Sequence, residues 1–228
     1  MISGKAMSTL NFIFENAERC WSLTWEHIWI VSFSVILASV IAVPIGIAIT
    51  KNEGVANKII NTANILMTVP SIALFGLMLP VLSIFGHGLG KVPAVIALVL
   101  YSQLPIIRNT YIGIKNVPGE LVEAGKGIGM GTWTRLKEIE IPLAAPVIIA
   151  GLRTAAVMNI GIAAIAAYIG AGGLGVFIQQ GIARVYEEMI LAGALLVAAL
   201  AIFVDLFMAL VERTLTPKGL IVSRKRGT

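Results

Sequence analysis

The feature that most constrains this chain is the recurrence, along nearly its whole length, of apolar runs almost free of Asp, Glu, Lys and Arg. A helix needs roughly 20 apolar residues to cross the hydrocarbon core of a bilayer, and five runs qualify, at about residues 27–50, 60–85, 92–111, 141–168 and 189–211. They follow one another so evenly that no water-soluble module has room between them. The expectation is therefore an all-α membrane protein with a single transmembrane domain over residues 1–228. Composition agrees, because only 13% of the residues are charged, against about 25% in an ordinary soluble domain.

The formal net charge of +5 does not indicate nucleic-acid binding, because the basic residues lie between the apolar runs and in the polar tail from Lys218 to Thr228. That distribution suits anionic lipid. Lys5, Arg19, Lys91 and Arg184 fall on one side of the membrane and Arg153 inside a run, while the other Lys and Arg residues, from Lys51 to Arg226, fall on the opposite side. The positive-inside bias then puts the N-terminus outside and the C-terminus in the cytoplasm, as five spans require. Cys20 is the only cysteine, which excludes an internal disulfide and any multi-cysteine metal centre. No small-residue cleavage pattern follows the first run, so it is expected to remain as an anchor in a multi-pass cell-membrane protein.

Several positions break the apolar pattern. Pro70 and Pro80 interrupt the second run, Pro70 within Thr68-Val69-Pro70-Ser71. A proline frees a carbonyl that must find protein or trapped water in a bilayer, so Thr68, Pro70 and Ser71 mark either a packed kink or a bend lining a water-filled path. Pro44 and Pro105 allow the same two readings. Gly170, Gly172, Gly173 and Gly175 at the outer end of the fourth run permit unusual dihedrals and serve either as a gate or as a close-packing surface. Arg153 and Asp205 are opposite charges inside the fourth and fifth runs, costly unless paired or wet; their depths predict a shared polar pocket. His27 and His87 read as interface residues, and Trp21, Trp25 and Trp29 as an aromatic belt rather than a cation-binding cage. Gly90-Lys91-Val92 lacks the residues of a phosphate loop, so no ATP site is expected on this chain.

The longest polar stretch, about residues 115–140, joins the third and fourth runs on the cytoplasmic side. Pro118 suits a first helical position, and Glu120 and Glu123 favour the positive end of the dipole. Leu121, Val122, Gly125 and Ile128 recur on one side. Gly129 and Gly131 end this helix, and Thr132 caps a second through Glu138. By periodicity alone this is a helix lying on the headgroups.

Its residues are more specific than its periodicity. Glu123-Ala124-Gly125, three residues, Gly129, nine residues, then Ile139-Glu140-Ile141-Pro142 resembles the E-A-A, x3, G, x9, I-x-L-P signature of ABC importer permeases, with Gly125 replacing the second Ala and Ile141 the Leu. The resemblance implies a coupling helix that docks in a groove on a separate ATPase subunit, with Glu123, Ala124, Gly125, Gly129, Ile139 and Pro142 as the coupling residues. Gly129 would turn the chain where a side chain would strike the flanking helix. It further implies a homo- or heterodimer of permease subunits, two ATPase subunits that carry ATP and magnesium, and an extracytoplasmic binding protein. The stretches Thr68–Ser71, Leu104–Thr110 and Ile169–Gly175 resemble the branch that imports glycine betaine, carnitine and choline. Alternatives are a permease for another small zwitterion or amino acid such as methionine and, from another class, an ion-gradient-driven secondary transporter. An intramembrane hydrolase has no suitable Ser/His, paired-aspartate or H-E-x-x-H arrangement in the runs.

Overall fold

Apolar helices in a bilayer sort by size rather than by polarity, since lipid tails are as apolar as leucine. The second helix shows this directly. Its inward positions are His27, Ile30, Val31, Ser34, Ala38 and Ala42, whereas Trp21, Trp25, Trp29, Phe33, Ile36 and Val40 point outward. From Ser34 onward small residues (Ser34, Ala38 and Ala42) take the protein contact and large ones face outward, whereas nearer the start His27, Ile30 and Val31 are buried despite their size.

The computed structural model describes residues 2–215, and every regular element among them is helical. In chain order these are α1 (Ile2–Glu15), α2 (Ala17–Ala48), α3 (Glu53–Thr68), α4 (Ser71–Ser83), α5 (Lys91–Lys115), α6 (Gly119–Gly127), α7 (Thr132–Arg135), α8 (Ile141–Ala166), α9 (Gly175–Arg184) and α10 (Glu187–Leu215). A π-helical turn, Leu136–Glu140, joins α7 to α8. The polar tail from Lys218 onward lies outside the described residues.

Helix α5 is the axis, packed against α2, α8 and α3. Of the apolar window of each span, 56% of α5 is buried but only 6% of α10, so α10 forms an outer wall. Gly151 lets α8 approach closely: a Cβ there would lie 2.7 Å from the Asn109 Cβ and 2.8 Å from the Pro105 carbonyl oxygen. Deeper along the same seam, the buried Asn159 donates to Ser102 Oγ at 2.8 Å and to the Leu98 carbonyl at 3.3 Å, locking the register of the two helices.

Four helices are long and apolar enough to span, at Ala17–Lys51, Lys91–Lys115, Thr132–Ile169 and Glu187–Leu215, and a fifth span is made only by joining α3 and α4 across a 95° bend. The expected second span over 60–85, read as interrupted at Pro70 and Pro80, is two helices that break at Pro70 alone. Val69 is extended (φ −68°, ψ 125°) because the residue before a proline is pushed out of the helical region. Pro80, by contrast, sits inside α4 without ending it, and α2 and α5 continue through Pro44 and Pro105. The first span starts ten residues before its apolar run, since helix geometry does not require an apolar sequence. The separate helix expected from Thr132 to Glu138 is also corrected: Gly131 takes the cap position and α7 runs through the π turn into α8.

Candidate functional site

Two ends of the helix bundle can be told apart. Lys115 at the end of α5 bonds Glu53 at the start of α3, 3.0 Å away, and α6 follows directly. At the other end of α5, the Gly90 N–H donates to the Ile169 carbonyl at 2.7 Å, which brings in the glycine loop 170–174. The 25 residues of α5 separate these ends by about 37 Å, enough to cross the hydrocarbon core.

At the α6 end the chain closes on itself. Pro118 caps α6 from outside the helix (φ −55°, ψ 126°). The helix ends when Met130 N–H donates to the Gly125 carbonyl and Gly129 N–H to that of Lys126, both at 3.0 Å, a Schellman termination that needs a left-handed residue. Gly129 supplies it with φ +81°. The collision expected for a side chain at Gly129 is not present, because a Cβ there would meet nothing within 4 Å; dihedral strain alone demands glycine. Gly125 is the crowded position. A Cβ on it would lie 2.9 Å from Ile139 Cδ1, so two positions fourteen residues apart are packed together. Arg135 spans the π turn to Glu140, Nε to Oε1 at 2.7 Å. Glu123 and Ala124 are exposed, as is Pro142. On the expected apolar side of α6, Gly125 is buried and Val122 half-buried, while Leu121 (44%) and Ile128 (75%) are exposed, beside an exposed Trp133 (74%).

Near mid-depth lies the α3–α4 elbow. Tyr101, buried and ten residues into α5, donates its hydroxyl to the Val69 carbonyl at 2.5 Å, which satisfies a group freed at the break. Thr68 and Pro70 are exposed and Ser71 is half-buried. Below the elbow an open cavity of about 550 Å³ is lined mainly by apolar side chains, with Lys58, Thr62 and Gln103 as its polar groups. A broken helix at mid-depth beside a cavity is the arrangement used by proteins that pass polar solutes through a bilayer.

Arg153 and Asp205 meet in a two-pronged contact, Nε to Oδ1 at 2.6 Å and Nη2 to Oδ2 at 2.7 Å, with Glu212 Oε2 3.5 Å from Arg153 Nη1. The pair joins α8 to the outer wall α10.

At the glycine-loop end, Gly170, Gly172 and Gly173 all have positive φ. The loop is held by Glu26 and His27, which sequence reading passed over. His27 is 1% exposed, which corrects its placement as an interface residue: it faces inward while Trp21, Trp25 and Trp29 face outward, so the apparent aromatic cluster is split between two sides of one helix. An acidic residue at the edge of an apolar run was the available signal for Glu26; nothing in the local sequence marks Tyr101.

A family model described as "Binding-protein-dependent transport system inner membrane component" matches residues 35–217. The chain belongs to that family. Such a permease is an inner-membrane component of a transport system that works with a binding protein. It is 49% identical to an osmoprotectant import permease protein of Salmonella typhimurium, over 94% of this chain and 100% of the relative. It is 44% identical to a glycine betaine/carnitine/choline transport system permease protein of Bacillus subtilis, over 92% of this chain and 95% of the relative. Among solved structures, an inward-facing MetNI methionine ABC transporter superposes with a TM-score of 0.77 at 22% identity, covering 87% of this permease and 96% of that chain; this likeness concerns the fold.

Proposed function

We propose that this permease forms the translocation path of an ATP-driven importer for small quaternary ammonium solutes of the glycine betaine, carnitine and choline class. The observation that carries the substrate class is the 49% identity to an osmoprotectant import permease along that relative's whole length, supported by the 44% identity to the Bacillus subtilis permease.

In this reading the N-terminus and the glycine loop face outside, and α6 hangs in the cytoplasm. The basic residues around the α6 end, Lys51, Lys115, Lys126, Arg135 and Lys137, support that orientation. Two permease subunits and two ATPase subunits make the working importer, with ATP and magnesium on the ATPase. Glu123, Ala124 and Pro142, with the exposed Leu121, Ile128 and Trp133, form the docking face, and the Gly125–Ile139 contact transmits its movement to α8. The elbow at Thr68, Pro70 and Ser71 lines the path.

The test is uptake of radiolabelled glycine betaine, carnitine and choline by proteoliposomes carrying this permease with its ATPase and binding protein. Accumulation of at least one, competed by the others but not by methionine, is expected. Accumulation of methionine alone would replace the substrate class.

A further inference from the structure

The polar contacts at the glycine-loop end come from two consecutive residues of α2. Glu26 Oε2 accepts the Gly173 N–H at 2.9 Å, while its Oε1 lies 2.6 Å from Lys91 Nζ. His27 Nδ1 accepts the Leu174 N–H at 3.2 Å, and Nε2 faces the Ile160 carbonyl at 3.1 Å. A carbonyl can only accept, so a neutral ring protonated on Nε2 satisfies both contacts. Loop and side chains are fitted to each other: a Cβ on Gly172 would strike the Glu26 carboxylate, and one on Gly173 would lie 2.9 Å from His27 Nδ1.

Beside the loop opens a cavity of about 610 Å³, whose lining includes Gly90, Tyr168, Gly170, Gly172 and Gln179. Three segments distant in sequence, α2, the start of α5 and the α8–α9 connection, therefore meet around the glycine loop, whose Gly170 and Gly172 line that cavity. They are joined there by hydrogen bonds and an ion pair laid over apolar packing, in which Leu174 is buried with Ile30, Val31, Leu98 and Ile160. The polar contacts are directional, so they fix the position of the loop backbone more narrowly than the apolar packing does. The charged groups there (side-chain exposures of 52% for Lys91 and 29% for Glu26) are also in reach of water.

We propose that Glu26 and His27 are positioning residues of the transport path, which clamp the glycine loop and so fix the mouth of the permease on the side opposite α6. The inference rests on the permease reading. Releasing the loop loosens the mouth without touching the ATPase docking face, so it lowers the solute moved per ATP hydrolysed and leaves ATP turnover stimulated by loaded binding protein.

The experiment measures uptake and ATP turnover together in proteoliposomes of the full complex, using E26A, E26Q, H27N and H27Q. Glutamine keeps an acceptor for the Gly173 N–H and loses the charge. At position 27, asparagine places an oxygen near the Nδ1 site and keeps the tie to Leu174, while glutamine reaches the Nε2 site and keeps the tie to Ile160. We expect E26A to lower uptake per ATP about tenfold, the scale of a lost charge-assisted hydrogen bond, with E26Q and H27N close to wild type and H27Q impaired. A merely structural role would instead lower the yield of complex, with coupling unchanged in what assembles. Wild-type uptake per ATP in E26A overturns the proposal, as does E26Q as uncoupled as E26A. If E26A does not assemble, H27N and H27Q decide, and equal coupling in the two overturns it. Loss of binding-protein stimulation in the wild-type complex would fail the permease reading instead, so the two failures are distinct.

Discussion

Arg153 on α8 grips Asp205 on α10 through two parallel hydrogen bonds of 2.6 and 2.7 Å, with Glu212 of the same outer helix 3.5 Å from its guanidinium. An intramembrane charge that loses its close partner is costly: Asp205 alone would have none of these contacts, and Arg153 alone only the 3.5 Å one to Glu212. Replacing either residue singly, Arg153→Met or Asp205→Leu, should therefore reduce the amount of assembled complex severalfold, whereas the double replacement should recover most of it. Quantifying detergent-extracted complex by size-exclusion chromatography checks this, and a double variant worse than both singles would contradict it.

Two glycines near the end of α6 make a matched pair. Gly127 is helical and Gly129 has φ +81°, and a Cβ on either would meet nothing within 4 Å. Alanine at Gly127 should be neutral or stabilising, because glycine costs about 0.5–1 kcal/mol relative to alanine inside a helix. Alanine at Gly129 should cost about 1–2 kcal/mol through the left-handed dihedral, and Gly129→Leu should uncouple ATP turnover from uptake while the chain still inserts. ATP turnover stimulated by loaded binding protein is the readout; wild-type values for Gly129→Leu would remove the α6 loop from the coupling route.

The hydroxyl of Tyr101 is the partner of the Val69 carbonyl at the elbow. Tyr101→Phe leaves that acceptor unsatisfied at about 1–3 kcal/mol, with almost no change in packing. A lowered thermal midpoint of the purified complex and slower uptake are expected. An unchanged midpoint would mean that the elbow does not depend on this bond.

Trp133 is 74% exposed in α7, the short helix that leads into α8. As an aromatic anchor in a protein interface its removal should cost about 2 kcal/mol, so Trp133→Ala should weaken ATPase binding roughly 30-fold, since 1.4 kcal/mol is tenfold, with insertion unaffected. Titration of the ATPase subunit onto immobilised permease measures it.

The helical spans and the α6 loop were legible in the sequence because each rests on a local signal: apolar length for the spans, residue spacing for the loop. The bend at Val69 was half legible. Pro70 marked it, yet Pro80, an equal signal, leaves α4 intact, so proline alone does not say which of the two positions breaks. Spacing placed Leu121 and Ile128 on one side of α6 but cannot tell a face that packs on this chain from one left open, as theirs is. The clamping contacts of His27 and Glu26 were not legible for another reason. Their partners on the glycine loop lie 147 residues away, and in a chain apolar on all sides hydropathy does not separate lipid-facing from protein-facing positions.

The central claim is that this chain moves solute only when driven by a partner ATPase. The direct measurement is glycine betaine uptake into proteoliposomes containing permease, ATPase and binding protein, with ATP enclosed or omitted, and with or without ionophores that collapse ion gradients. The account predicts uptake that requires ATP and the ATPase and is indifferent to ionophores. Uptake by the permease alone, driven by an ion gradient and abolished by ionophores, would contradict it and establish a secondary transporter.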